Sequence, residues 1–270
     1  MKPRGWIAAV IVLGLAIGAW FHMQGRGTGS QQSLTVYCAA SQKKPVEAIA
    51  AAYQRENGVT ICLQYGGSAS LLSAIQITQK GDLFISADDG TIADARRLGF
   101  ARDVIPLVKQ QPVLAVAKGN PKNIRALDDL LKKGVRFALA NPESASISRV
   151  ARKTLGDRWQ PLQSRAVVLK PTVMDIATDL LIGAVDAGIV WDTVVAQFPA
   201  LEMVHPAEFA NVTENASVAL LSFSKQPGEA TKFARYLAAP DKGGQVFVKN
   251  GYTLATSGAA PSAHPSNSNP

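Results

Sequence analysis

The apolar positions of this chain alternate between two periods. Leu34-Thr35-Val36-Tyr37-Cys38-Ala39-Ala40 is a nearly continuous apolar run, the pattern of a strand buried on both faces, and it ends at Ser41. Behind it Val46, Ile49, Ala50 and Tyr53 recur at helical spacing, with Pro45 in the opening turn and Asn57-Gly58 to close the helix. The couplet then repeats. Val59 to Tyr65 reads as a strand, Gly66-Gly67-Ser68-Ala69-Ser70 as a turn, and Leu71, Leu72 and Ile75 as the buried side of a second helix capped by Ser68 or Ser70. A third strand, Asp82 to Ser86, leads through Ala87-Asp88-Asp89 into a helix reaching Leu98. Three strand-helix couplets in a row predict a parallel sheet.

Ile105 to Ala117 is again apolar but is interrupted by Gln110-Gln111-Pro112, the pattern of a strand that leaves one unit and enters another. Beyond it the spacing predicts a helix on Ile124, Leu127, Leu130 and Leu131, stopped at Gly134, and a strand from Val135 to Ala140. The polar cluster Asn141 to Ser146 opens a further helix, followed by a strand at Ala166–Leu169, a helix at Thr172–Val185 and a strand at Ala187–Trp191. Ala216 to Leu221 reads as a return strand, and helices at Glu229–Leu237 and Lys242–Val248 are expected to pack back on the first unit. The expected organisation is α/β in two lobes. Residues 33–112 and 206–256 form lobe 1, residues 113–205 form lobe 2, and a Ser, Pro, Ala and Asn tail at 257–270 is disordered.

Composition and charge narrow this picture. With 270 residues and 47% apolar content the chain has enough material for packed cores. Residues 1–32 read as a signal peptide or membrane anchor plus linker. Lys2 and Arg4 precede the uncharged run Trp6 to Phe21, short for the roughly 30 Å hydrocarbon layer, so the bulk of the chain is exported whether or not the leader is cleaved. Of the net +8, Lys2, Arg4 and Arg26 carry three charges, which leaves +5 spread among acidic residues without a basic block. That excludes a nucleic-acid surface and leaves a mild positive field that helps anions arrive. Cys38 and Cys62 lie in two strands expected to be neighbours; they are either two buried thiols or a disulfide, and they lack the paired spacing of a zinc site. No cofactor or cation site is expected.

The candidate chemistry lies at the turns. Ser41 and Ser68 end consecutive parallel strands, and Ser146 and Ser148 open a helix in the second unit. In an open sheet, ligands sit beyond the carboxyl ends of the strands, and helix N-termini there favour anions. A desolvated tetrahedral oxyanion is best held by many neutral donors, hydroxyls and backbone N–H groups, which avoids burying full positive charges. Taken singly, each serine is better explained as a helix cap, and it is their spacing that raises the functional reading. The rival class is a surface-anchored serine hydrolase. Only His205 lies in the folded region as a base, since His22 and His264 fall in the leader and the tail, and no Gly-x-Ser-x-Gly elbow is present. The pairs Asp88-Asp89 and Asp128-Asp129 read as solvated charge on helix surfaces.

The runs Val36 to Ser41, Tyr65 to Leu71, Asp82 to Asp88, Asn141-Pro142-Glu143 and Gly188-Ile189-Val190-Trp191-Asp192 together resemble the periplasmic molybdate-binding proteins of ABC importers, over roughly Leu34 to Tyr252. The resemblance implies the type II periplasmic binding protein fold, two α/β lobes joined by two crossovers with a cleft between them. It further implies a monomer that captures molybdate or tungstate without a counter-cation and presents it to a membrane permease and its ATPase. By position it implies ligand contacts from the hydroxyls and N–H groups of Ser41 and Ser68 and from the backbone N–H groups of Ile147 and Val173. The family's tyrosine ligand falls on Trp191, whose indole can donate one hydrogen bond and accept none. Asp192 beside it is expected either to orient a donor or to repel the anion. Binding or sensing of another oxyanion, sulfate or phosphate, is the alternative within the same fold.

Overall fold

The computed structural model describes residues 32–255. The leader and tail lie outside the described residues. Eleven strands run in chain order: β1 (Ser33–Ala39), β2 (Thr60–Gly66), β3 (Leu83–Ser86), β4 (Ala101–Gln110), β5 (Pro112–Ala117), β6 (Phe137–Ala140), β7 (Val168–Lys170), β8 (Ala187–Trp191), β9 (Leu201–Val204), β10 (Glu214–Leu221) and β11 (Thr253–Leu254). They form two sheets, one ordered β11-β4-β10-β3-β1-β2 and the other β7-β6-β8-β5-β9. The chain passes between the sheets twice, directly from β4 into β5 at Gln111, and again between Val204 and Glu214.

The apolar runs of β1 and β3 follow from burial on both faces. Leu34, Val36, Cys38, Leu83 and Ile85 join one core cluster, while the alternate residues Tyr37 and Phe84 join the cluster on the opposite face. Full burial of one such side chain contributes about 1.5–3 kcal/mol. The helix Lys43–Asn57 buries Val46, Ile49, Ala50 and Tyr53, and Gly58 closes it in the left-handed conformation at φ +72°. The second sheet has its own core, in which Phe137, Ile176, Ile189 and Trp191 are buried.

The structure departs from the sequence expectations at several points. The first sheet is mixed rather than parallel. β1, β2 and β3 are parallel, but β10 returns from the other lobe and inserts between β3 and β4 antiparallel to both. The expected helix through Ile124–Leu131 is only a 3₁₀ turn, Leu127–Leu131. The Asp129 carboxylate accepts from the N–H groups of Arg125 and Ala126, and Lys132 returns to extended backbone. The helix Trp159–Arg165 and the strands β9 and β11 are not foreshadowed by the sequence pattern. Ser68 does not cap its helix. Gly67 holds that position and Ser68 is the first helical residue.

β1 and β2 are neighbours, yet no disulfide joins them. Cys62 stands opposite Thr35, so Cys38 lies three residues further along and on the other face. Cys38 is buried and free, Cys62 exposed and free. Burial pushes the Cys38 thiol up. Asp88 is likewise no surface charge. It is 2% exposed and caps the helix Asp89–Arg97 by accepting from Thr91 N–H at 2.8 Å.

Candidate functional site

Six parallel strands, three from each sheet, point their carboxyl ends at one small cavity. β1, β2 and β3 deliver Ser41, Ser68 and Ala87 from the first lobe; β6, β7 and β8 deliver Ile147, Val173 and Trp191 from the second. The empty space there, including its opening to solvent, is about 240 Å³. Ser41, Ser68, Ile147, Val173 and Trp191, five residues far apart in sequence, all line it, together with Ser146. Ser148 does not; its hydroxyl is sealed in the protein without a partner among the described residues.

Backbone donors dominate the walls. Ser68, Ile147 and Val173 each fall within the first two residues of a helix, where N–H groups have no partner inside the helix and the helix dipole adds positive potential. No charged side chain lines the cavity among the described residues; apart from Ser41, Ser68, Ser146 and Thr172 its lining side chains are apolar or absent. The Thr172 hydroxyl is already engaged, capping its helix with Asp175. Trp191 is 1% exposed and belongs to the second lobe's core while facing the cavity. Asp192 turns away from the cavity. It accepts from the N–H groups of Gln111 at 3.1 Å and Thr193 at 2.8 Å, so it ties β8 to the crossover and puts no charge in the site. Burial pushes its carboxyl up despite those two donors.

Both serine hydroxyls already accept a hydrogen bond from the protein. Ser68 Oγ accepts from Ala87 N–H at 3.0 Å, and Ser41 Oγ accepts from Gln42 Nε2 at 3.3 Å. Each oxygen thus receives an N–H, and the hydroxyl proton is left to point elsewhere. The main chain at Ser41 is also pinned, its carbonyl accepting from Tyr252 OH at 2.6 Å and Gln197 Nε2 at 3.2 Å. The sequence reading missed Gln42, Gln110, Thr193, Gln197 and Tyr252. Their signal is weak, a set of amides and hydroxyls in otherwise apolar stretches.

Across the cavity mouth the lobes touch. Ser144 O accepts from the N–H groups of Ala69 at 3.1 Å and Ser70 at 3.3 Å. A Cβ at Gly67 would stand 2.2 Å from that same carbonyl oxygen, so only glycine permits the approach. Arg149 reaches from the second lobe to Asp88 at 3.4 Å and Asp94 at 3.2 Å, and also bonds Thr91 Oγ1.

A family model described as bacterial extracellular solute-binding protein matches residues 34–253. The chain belongs to this family. As a solute-binding protein it works outside the cytoplasm. The molybdate-binding protein ModA of Mycobacterium tuberculosis is 26% identical over 258 residues, covering 92% of this chain and 96% of that protein. Two solved structures share the fold. The periplasmic molybdate-binding protein of Azotobacter vinelandii has a TM-score of 0.68 at 20% identity, over 83% of this chain and 100% of that one. The sulfate-binding protein SubI of M. tuberculosis has a TM-score of 0.70 at 21% identity, over 84% of this chain and 88% of that one. The architecture is that of the type II periplasmic binding proteins, two α/β lobes joined by two crossovers.

Proposed function

We propose that this protein captures a fully ionised tetrahedral dianion, molybdate or tungstate, in the periplasm and delivers it to the permease and ATPase of an ABC importer. The observation that carries the reading is the chemistry of the lining: serine hydroxyls whose oxygens already accept an N–H from the protein, helix N-termini from both lobes, and no charged side chain among the described residues. Such a shell replaces the water around a dianion with fixed dipoles and needs no counter-cation. It suits a ligand whose oxygens are all acceptors. Hydrogenphosphate carries a proton that would find no charged acceptor there, and the mismatch costs the ligand its hydration without return. The name of the M. tuberculosis relative favours molybdate.

In this reading Ser41 and Ser68 contribute hydroxyl and N–H groups, Ile147 and Val173 contribute N–H groups, and Trp191 closes the cavity with its indole. Sulfate shares the charge, shape and absence of protons, and SubI shares the fold, so sulfate is the second dianion to examine. Titration calorimetry of the exported chain with molybdate, tungstate, sulfate and phosphate tests the proposal. Tight binding of the first two, weaker sulfate and silent phosphate are expected, unchanged by chelators; silence with all four removes it.

A further inference from the structure

A serine hydroxyl serves an anion only if its proton, not its lone pairs, faces the ligand. In this protein the hydrogen bonds that both serine oxygens accept trace back to one buried residue, Ala87, which follows β3 on the cavity wall. Its N–H donates to Ser68 Oγ at 3.0 Å. Its carbonyl accepts from Gln110 Nε2 at 2.5 Å. A backbone carbonyl cannot donate, so the Gln110 amide has a single workable orientation, with Oε1 turned the other way. That oxygen accepts from Gln42 Nε2 at 3.2 Å and from Thr193 Oγ1 at 3.0 Å. Gln42 is oriented in turn, and the same Nε2 donates to Ser41 Oγ. Turning either amide over would set oxygen against oxygen at one of these contacts.

Gln42 and Gln110 are buried, and the arrangement leaves Gln42 Oε1 sealed without a partner among the described residues. An orphaned acceptor is costly, and the cost is accepted here to keep Nε2 facing Ser41. Gln110 is also the last residue of β4, where the chain crosses to the second lobe, and Thr193 follows β8 in that lobe. The relay therefore joins the two serines to the crossover itself.

We infer that the Ala87–Gln110–Gln42 relay fixes the solute site as donor-only, and that Gln110 and Gln42 are positioning residues for selection of unprotonated over protonated oxyanions. The inference rests on the anion reading of the cavity and extends it from the ligand contacts to the residues that set their polarity.

The test replaces the relay's hub by a group whose donor can be titrated away. In Gln110→Glu a protonated carboxyl still donates to Ala87 O and accepts from Gln42 and Thr193, whereas a carboxylate can only accept. Burial and the facing carbonyl raise the pKa of that carboxyl above the usual value of about 4.3. Lys109, Asp192 and Glu214, the last standing opposite Gln110 on β10, are ionisable groups beside Gln110, and they are common to both proteins, so wild type measured in parallel removes their contribution. Molybdate affinity of Gln110→Glu is expected near wild type at about pH 6 and weaker by about tenfold or more at about pH 9, with wild type nearly flat across that range.

Gln110→Met, which cannot relay at any pH, is expected to bind molybdate about tenfold more weakly throughout, with phosphate gaining relative to molybdate. A Glu variant that follows wild type at every pH overturns the relay, as does one that melts normally yet is equally weak at both ends. A Met variant that keeps affinity and selectivity overturns it too. If neither Gln110 variant folds, Gln42→Glu is read at about pH 9, where its carboxylate can donate to neither Ser41 nor Gln110: molybdate affinity is expected to fall about tenfold or more, and wild-type affinity there overturns the relay. Wild type silent toward molybdate, tungstate and sulfate would instead remove the anion reading itself, an outcome distinct from a binding wild type with indifferent variants.

Discussion

The energetics at single residues follow from what each would leave behind. Ser41 and Ser68 are each 2% exposed, and in the proposed site removing either hydroxyl would orphan a ligand oxygen. Ser41→Ala and Ser68→Ala are each expected to weaken molybdate binding by roughly 1–3 kcal/mol, the usual cost of leaving a charged acceptor unsatisfied. Each also frees an N–H, from Gln42 or Ala87, to face the ligand directly, which places the loss toward the low end. Calorimetry on both variants, with unliganded melting as the control, measures this; two variants with native affinity would relocate the site. Trp191 offers a spectroscopic handle. It faces the cavity, whereas Trp159, the other described tryptophan, is bonded to Gln163 Oε1 in its own helix. Ligand addition is expected to change the intrinsic fluorescence, and Trp191→Phe to abolish that change.

Among the secondary-structure elements, the turns that begin helices matter most, and Gly67 separates folding from closure. Its φ of −70° is open to any residue, so Gly67→Ala costs the isolated lobe little, but in the observed arrangement the new methyl would meet Ser144 O. The expected outcome is unchanged thermal stability without ligand and at least about tenfold weaker binding, a gap of roughly 1.4 kcal/mol or more. Equal affinity would mean the lobes bind without meeting at this point. These elements also show what the sequence carries and what it hides. The strands β1, β3 and β8 were legible because burial on both faces writes a continuous apolar run, and the helix after Ser41 because one buried face writes a 3.6 period. The insertion of β10 between β3 and β4 was not legible, since it depends on where a distant segment returns. Asp88 was misread for a related reason. A carboxylate at a helix start looks solvated until the opposite lobe brings Arg149 against it. The Gln42–Gln110–Thr193 network likewise joins residues far apart in sequence and leaves no period to detect.

At the scale of the whole molecule, the question is what holds two lobes together around a ligand that each touches only in part. A ligand that contacted one lobe would not favour closure; only contacts present in the closed form shift the equilibrium. Besides the cavity and the bonds of Gln197 and Thr193 beside the crossover, the lobes meet through the Ser144 carbonyl on the helix at Ser68 and the Arg149 guanidinium on Asp88 and Asp94. The second is electrostatic and lies at the edge of the cleft, where Arg149 is 29% exposed, so its contribution is discounted for solvent to about 1 kcal/mol. Asp88 keeps its bonds to Thr91 N–H and to Ser86 Oγ when Arg149 is absent, so the lobe itself should not unfold. Arg149→Met therefore removes stability from the closed form alone. The anion would enter the open cleft at an unchanged rate and leave faster, by about fivefold, with a matching loss in affinity. The same loss should appear in wild type as salt is raised, because the ion pair is partly screened, and it should be absent from the variant. Stopped-flow fluorescence at low and high ionic strength reads both effects. An Arg149→Met protein with a native dissociation rate would show that the cavity contacts and the Ser144 carbonyl suffice for closure, and that the ion pair is only a consequence of the lobes having met.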